Sequence, residues 1–338
     1  MIEVIFTIDY EIYGNGEGLL RELVYEPAEK LKAIFRKWNA RCVVFVEAAE
    51  LEIIGFERAD PATDLVERQL LEFHREGFEV GLHLHPQWYN ARYKDAQWQL
   101  DYGEYNLCLL SPDRIDQIID RSVAYLRKVL GAPGYSPLSF RAGNWLLQPT
   151  GTAAKSLAAH GIKVDSSVFK GGLQHQHNLD YRRSRKNGYY WAFSKDVNVP
   201  DPGGILLEMP TFTKMVPVWK MFTAKRIGLN QKGPAKTQHR HKQLARLRDF
   251  LRLQHPMKFD FCRLTAAEMI RMFDLEMEKD RRDPALFRPI VAIGHTKDLV
   301  DFNAVEEFLS YLQKCQIRIS TFDDISRRTQ LSNLKTHE

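Results

Sequence analysis

Apolar, strand-like stretches alternate with amphipathic, helix-like stretches along most of this chain, and no other feature constrains the fold as tightly. Residues 3–8, 42–46, 79–85, 162–164, 205–209, 290–293 and 317–321 read as strands, and a short strand leads into Phe140. Between them, residues 27–38, 64–75, 112–130, 150–160, 265–278 and 302–313 carry helical periodicity. The clearest helix has Ser111 as N-cap and Pro112 as first residue. Its apolar stripe runs through Ile115, Ile118, Ile119, Val123, Leu126 and Leu130 and stops at Gly131. Asp64 and Glu67 have the spacing of a capping box for the helix before Gly77. Strand and helix repeating in this order call for crossover connections, and therefore for parallel strands. The expected fold is a single α/β domain over residues 1–338: a (β/α) barrel with seven or eight mainly parallel strands.

The polar residues are phased on this pattern. Asp9, Glu11, His83, His85, Arg141, Asp165 and His295 each stand at or just past the C-terminal end of a strand, where the mouth of a barrel collects its catalytic groups. Side chains alternate along a strand, so His83 and His85 share a face, and Pro86 stops the strand behind them. Two imidazoles and a carboxylate suffice to hold a catalytic divalent ion. Such an ion polarises a carbonyl and acidifies a bound water. A second carboxylate can take the water's proton, a histidine on the opposite side can protonate the leaving group, and an arginine against the base keeps it ionised. This inventory suits metal-assisted hydrolysis of an amide or ester.

Other residues are less pointed. Glu208 ends the strand over 205–209 and is a candidate for the mouth. Trp88, Tyr89, Tyr93, Trp98 and Tyr102 either stack on sugar faces or pack a loop. His74 and His160 read as surface residues on helices, and His175 and His177 lie in a loop with no strand to hold them. The glycines between residues 14 and 18 follow an acidic approach and open no helix, unlike a dinucleotide site.

An insertion at about 214–260 breaks the pattern. It carries Lys220, Lys225, Arg226, Lys232, Lys236, Arg240, Lys242, Arg246, Arg248 and Arg252 with almost no acid, and an amphipathic helix is expected over about 243–253. It reads as a solvated flank, or as a patch for an anionic membrane surface or a phosphate-bearing substrate. The net charge of +5 is too mild to call for nucleic acid, and no aromatic-interleaved basic surface accompanies it. No apolar run approaches the roughly 20 residues of a membrane span. Met1-Ile-Glu-Val opens as a strand rather than as a leader, so a cytoplasmic location is expected. Cys42, Cys108, Cys262 and Cys315 are widely spaced, which fits reduced thiols rather than a cysteine zinc site.

The motifs Thr7-Ile-Asp9-Tyr-Glu11, His83-Leu-His85-Pro86, Arg141-Ala-Gly143-Asn-Trp145, Asp165-Ser-Ser-Val-Phe169 and His295-Thr-Lys-Asp298 resemble the five ordered motifs of the polysaccharide deacetylases. This is the NodB-homology group, carbohydrate esterase family 4, and the resemblance runs from near residue 5 to about residue 300. It implies a distorted (β/α) barrel, a divalent metal, usually zinc, held by an Asp-His-His set, and removal of N-acetyl groups from amino sugars. Carried over by position, Asp9 looks like the catalytic base, Glu11 the metal carboxylate and His83 the first metal histidine. Arg141 looks like the residue that orients the base and His295 like the acid. Asp165 lies in the motif that supplies that histidine's partner, and Trp145 would wall the acyl pocket. Two departures stand out. Tyr10 separates two carboxylates that the family usually has adjacent, so Asp9 and Glu11 can exchange roles. The histidines are one residue apart instead of three, so His85 is either the second ligand or a substrate contact. The expected substrate is an N-acetylated amino sugar on a nucleotide or lipid carrier, as in surface polysaccharide (lipopolysaccharide/O-antigen) assembly. The alternatives are a metal-assisted amide hydrolase of a non-sugar substrate and a barrel that binds glycan without turnover.

Overall fold

The computed structural model describes residues 1–221 and 252–328. Strand β1 (Ile2–Tyr10) is buried along its whole length, because helices cover one of its faces and the barrel interior the other. It pairs in parallel with β2 (Val43–Glu47), and β2 pairs with β3 (Glu79–Leu84). The loop beyond β3 holds a hairpin of β4 (Arg92–Lys94) and β5 (Gln97–Gln99). The parallel run continues through β6 (Ser139–Ala142) and β7 (Val164–Asp165). After a second hairpin, β8 (Leu173–Gln174) and β9 (Leu179–Asp180), comes β10 (Trp191–Phe193), which pairs antiparallel with β11 (Leu206–Glu208). Strands β12 (Thr213–Pro217) and β13 (Gln254–Lys258) form a separate antiparallel ribbon. Finally β14 (Arg288–His295) returns beside β1, and β15 (Arg318–Ile319) pairs with β1's first residues.

The sheet order is β10-β11-β7-β6-β3-β2-β1-β14. Just past β11, Thr211 bridges in parallel to Val291, and the Phe212 N–H donates to the Val291 oxygen at 2.9 Å. This links the far side of the sheet back to β14 and curls it into the expected distorted barrel. The expected strands are all present, with β10 as the antiparallel addition at the edge.

The helices are α1 (Glu26–Lys37), α2 (Ala48–Glu57), α3 (Thr63–Arg75), α4 (Pro112–Val129), α5 (Gly151–Ala159), α6 (Ala266–Arg282), α7 (Phe302–Lys314) and α8 (Phe322–Arg328). Ser111 caps α4 as expected, and Thr265 and Glu268 close a capping box on α6. The box expected at Asp64 does not form: α3 starts one residue earlier, and the Asp60 carboxylate accepts from the Ala62 N–H instead. Helix α2 follows β2 without a turn because the Glu47 side chain accepts from the N–H groups of Ala49 and Glu50. Among the described residues no helix is long and apolar enough to cross a membrane. Most of the insertion, including the expected helix near 243–253, lies outside the described residues, while its two ends form the β12–β13 ribbon.

Alternation along the strands builds the interior in two layers. Ile5, Val43, Phe45, Val164, Leu207 and Val291 fill the N-terminal half with Phe322 and Ile325 of α8. Two and more residues further along the same faces stand Asp9, His83 and Arg141. A Cβ at Gly81 would come within 2.7 Å of the Phe45 ring, so only glycine there lets that ring occupy the barrel. The Arg141 guanidinium stacks on the same ring at 4.3 Å. An apolar plug thus carries a polar mouth.

Candidate functional site

Four strand ends deliver the site. β1 and the residue beyond it bring Asp9 and Glu11, β3 and the residue beyond it His83 and His85, β6 Arg141, and β14 His295. All of them, with Trp145, line one cavity of ≈ 420 Å³.

Glu11 is the hub of one cluster. Its Oε2 lies 3.4 Å from His83 Nε2 and 3.2 Å from His85 Nε2. That oxygen is buried and has no hydrogen-bond partner among the described residues, while Oε1 accepts from Lys297 Nζ at 2.7 Å. His83 Nδ1 donates to the Arg141 main-chain oxygen at 2.8 Å, which leaves Nε2 of the neutral ring bare and facing Glu11. Burial opposes charge on His83, but Asp9, Glu11 and Glu47 outweigh it and push its pKa up to about 9, so this spot favours positive charge. Burial also opposes charge on Glu11, yet Lys297, His83 and His85 hold its carboxyl well below the usual range. His85 is pushed down by burial in spite of Glu11.

These three donors fit a divalent ion. Donors bonded to one ion at about 2.1 Å and set at the tetrahedral angle stand about 3.4 Å apart, close to the separations here. The donor set, two imidazole nitrogens and one carboxylate oxygen, suits zinc and similar ions. Asp9, Glu11 and His295 form a second convergent triad that shares Glu11.

Asp9 is the hub of the other cluster. Arg141 Nη1 donates to Oδ1 at 2.6 Å, and the same guanidinium reaches Thr7 Oγ1 and both oxygens of Ser166. Burial alone would raise the Asp9 pKa, but Arg141, His83 and His295 lower it below the ordinary value. Asp9 and His295 are register partners on neighbouring strands, and His295 Nε2 stands 3.4 Å from Asp9 Oδ2. The histidine therefore sits beside the carboxylate rather than across the mouth from it.

The turn after β6 shapes the wall. Asn144 and Trp145 both adopt left-handed backbone (φ 51° and 68°), an uncommon state for non-glycine residues. The Asn144 amide meets His85 Nδ1 at 3.2 Å. It can offer NH2 to a bare nitrogen or, turned over, its oxygen to an N–H. Trp145 packs edge-on against Phe169, and Lys258 of the β12–β13 ribbon lies 4.1 Å from the Trp145 ring centre.

Three expected residues stay out of the cavity. Trp88 is wholly buried against Trp98, because the 3-10 turn Pro86–Asn90 tucks it into the core, so it offers no face to a sugar. Asp165 accepts from the Ser167 hydroxyl at 2.6 Å and the Ser167 N–H at 3.1 Å, and makes no contact with His295. Glu208, also fully buried, accepts from the Val168 N–H and is pushed well up by burial and by Asp165. Asp165 and Glu208 form a separate carboxyl pair within the field of Arg141.

Several lining or supporting residues were not expected. Asp260, Arg263 and Asp298 line the cavity near His295, with Arg263 donating to Asp298 at 2.7 Å. Behind Glu11, burial first and the Glu11 charge also push Glu47 up to about 8 and Glu50 well above its usual range. Glu47 was within reach of sequence reasoning, since it too is a polar residue ending an apolar strand.

No protein-family model matches the sequence, and none of the curated proteins does. Solved structures do match. One is designated a polysaccharide deacetylase, from Mycobacterium smegmatis, with a TM-score of 0.56 at 15% identity over 100% of this chain and 93% of that one. The Puue allantoinase gives 0.52 at 12% identity over 96% and 89%. A GH57 branching enzyme from Thermococcus kodakaraensis gives 0.56 at 12% identity over 99% and 72%. The fold is that of the polysaccharide deacetylases, and the same architecture carries other chemistries.

Proposed function

We propose that this chain is a metal-dependent hydrolase that removes the N-acetyl group of an amino sugar. The observation that carries the reading is the buried, partnerless Glu11 Oε2 facing two histidine Nε2 atoms, with an arginine-held Asp9 beside it. Glu11, His83 and His85 would hold the ion. When bound, it would polarise the acetamide carbonyl and acidify the attacking water.

Asp9 is left for proton transfer. Arg141 occupies Oδ1 and keeps the group anionic against burial, and Oδ2 is the oxygen that accepts the water's proton. His295 Nε2, 3.4 Å from that oxygen, delivers a proton to the leaving nitrogen, so carboxylate and ring work as one exchanging pair. Lys297 holds the other oxygen of Glu11 and fixes which one faces the histidines. Trp145 walls the acyl side.

The finer reading is a cytoplasmic enzyme acting on an amino sugar carried by a nucleotide or lipid diphosphate, in surface polysaccharide assembly. The basic composition of residues 214–260 supports it, because a phosphate-bearing carrier needs cations nearby.

The test is metal content, then product. Purified protein should bind about one divalent ion, and His83→Ala and His85→Ala should each lose it. The loaded protein should release acetate from N-acetyl amino-sugar nucleotides or lipid-linked glycans. Ammonia or formate from other amides, without acetate, would move the assignment to a non-sugar hydrolase. Metal bound with no turnover on any amide would leave a glycan-binding barrel.

A further inference from the structure

A second cavity, of ≈ 600 Å³, opens on the flank of the barrel between the loop over 185–189, the start of β12 and the last turns of α6. It shares no lining residue with the mouth among the described residues. Among the described residues five cations line it, Lys170, Arg185, Lys214, Lys279 and Arg282, against two carboxylates, Glu276 and Glu278. Glu276 is already engaged by Lys279 at 2.8 Å and by the Tyr189 hydroxyl. Among the described residues no carboxylate stands within ion-pair distance of Arg185, Lys214 or Arg282.

Lys170 shows the imbalance most directly. Its ammonium donates to the main-chain oxygens of Asn187, at 2.6 Å, and Gly188, and among the described residues to no carboxylate. Burial pushes its pKa down to about 8 against the opposing pull of Glu208 and Glu276, with Lys279 adding to the fall. Lys214 is lowered as well, by burial and then by Lys220. The lining adds a polar group without a partner among the described residues: Thr211 is wholly buried, lines the cavity, and its hydroxyl makes no hydrogen bond to any of them.

We propose that this flank cavity binds a diphosphate-bearing anion. The surplus of cations matches the two to three charges of a diphosphate, whereas a single carboxylate would leave most of it unmatched. Guanidinium forks and an ammonium with a spare N–H are the donors that phosphate oxygens take up. The size also suits a group larger than one phosphate. None of this depends on the reading of the metal pocket, so either can fail alone.

The experiment titrates inorganic pyrophosphate into the full chain by calorimetry, in chelator-treated buffer. One saturable site is expected, weakened at least about tenfold by Arg185→Ala with Arg282→Ala and further by Lys170→Met. Arg185 and Arg282 are exposed, so their variants keep the test open if the Lys170 variant does not fold. Lys297→Met, in the mouth, should leave the affinity unchanged. Two parallel arms identify the source: co-sedimentation with vesicles carrying a polyprenyl diphosphate assigns a lipid head group, and binding of a nucleoside diphosphate without such vesicles assigns a soluble carrier. No saturable binding in the wild type overturns the proposal. So does sulfate binding as tight as pyrophosphate, or pyrophosphate binding that Lys297→Met abolishes and the flank variants spare.

Discussion

Arg141 is fully buried, and its donors divide among three partners, one holding Asp9 Oδ1 and the others Thr7 and Ser166. A lysine at this position would present one compact ammonium and could not serve all three. Arg141→Lys should therefore lower kcat/KM by about 10²-fold or more. The sign of its pH effect follows from Asp9, whose pKa the guanidinium lowers against burial. With that support weakened the carboxyl titrates higher, and the acid limb of the kcat/KM profile should move to higher pH. A profile that only drops, with its limb unmoved, would deny Asp9 the role of base. Gly143 offers a second probe. An added Cβ would come within 2.5 Å of the Leu84 oxygen and 2.7 Å of the His85 ring, so Gly143→Ala must displace that ring. If His85 is a ligand, metal affinity should fall roughly 10- to 100-fold in a variant that still melts cooperatively. Unchanged affinity would remove His85 from the ligand set.

Single strands set both the floor and the mouth of the barrel, which is why the site was so legible at the element scale. In β3 one face reads Glu79, Gly81, His83, and the residue beyond the strand, His85, follows the same alternation. Period-two alternation and the strand-end rule therefore found most of the mouth from the sequence, including the pairing of Asp9 with Glu11 across Tyr10. They failed where the chain leaves regular structure. Trp88 ends in the core because a 3-10 turn follows Pro86, and nothing local tells such a turn from an open loop. Helix α2 was invisible because its glutamates, Glu50 and Glu57 on one side and Glu52 roughly opposite, leave no single polar face, and because it follows β2 without a break or a turn signal. Asp165 satisfied the strand-end rule and still missed the cavity, being turned to Ser167.

The same β3 face gives a stability prediction. Glu79 accepts from the Ser139 hydroxyl at 2.6 Å and the Asp323 N–H at 2.8 Å at the barrel's floor, and burial pushes its pKa up to about 7. The folded chain thus keeps a proton that the unfolded chain releases near its ordinary value. Stability should fall as pH rises between about 4.5 and about 7 and level off above, a change of roughly 3 kcal/mol at most. Glu79→Gln should flatten that slope relative to wild type and raise the melting temperature at pH 8. Glu47 titrates in an overlapping range but is common to both proteins, so the difference reports Glu79. An unaltered slope would remove Glu79 from the account.

At the scale of the whole molecule, charge is unevenly divided. Residues 222–251 contain eight Lys and Arg and a single acid, Asp249, so the net +5 rests on them and the remainder sums to −2. The ribbon that flanks this segment is held by its own ladder, from Thr213 opposite Lys258 to Pro217 opposite Gln254. A short Gly-containing link from Met221 to Arg252 should therefore leave the ribbon, and with it Lys258 and the cavity wall, intact. Removing so many cations costs attraction to an anionic surface of about 1 kcal/mol per residue near that surface. The shortened chain should melt within a few degrees of wild type and still turn over a free N-acetyl amino sugar. It should lose co-sedimentation with anionic vesicles that the full chain shows at low salt and gives up as salt screens it. If the shortened chain still sediments, the membrane contact lies elsewhere. If turnover of the free sugar goes while the fold stays, the segment serves the mouth itself.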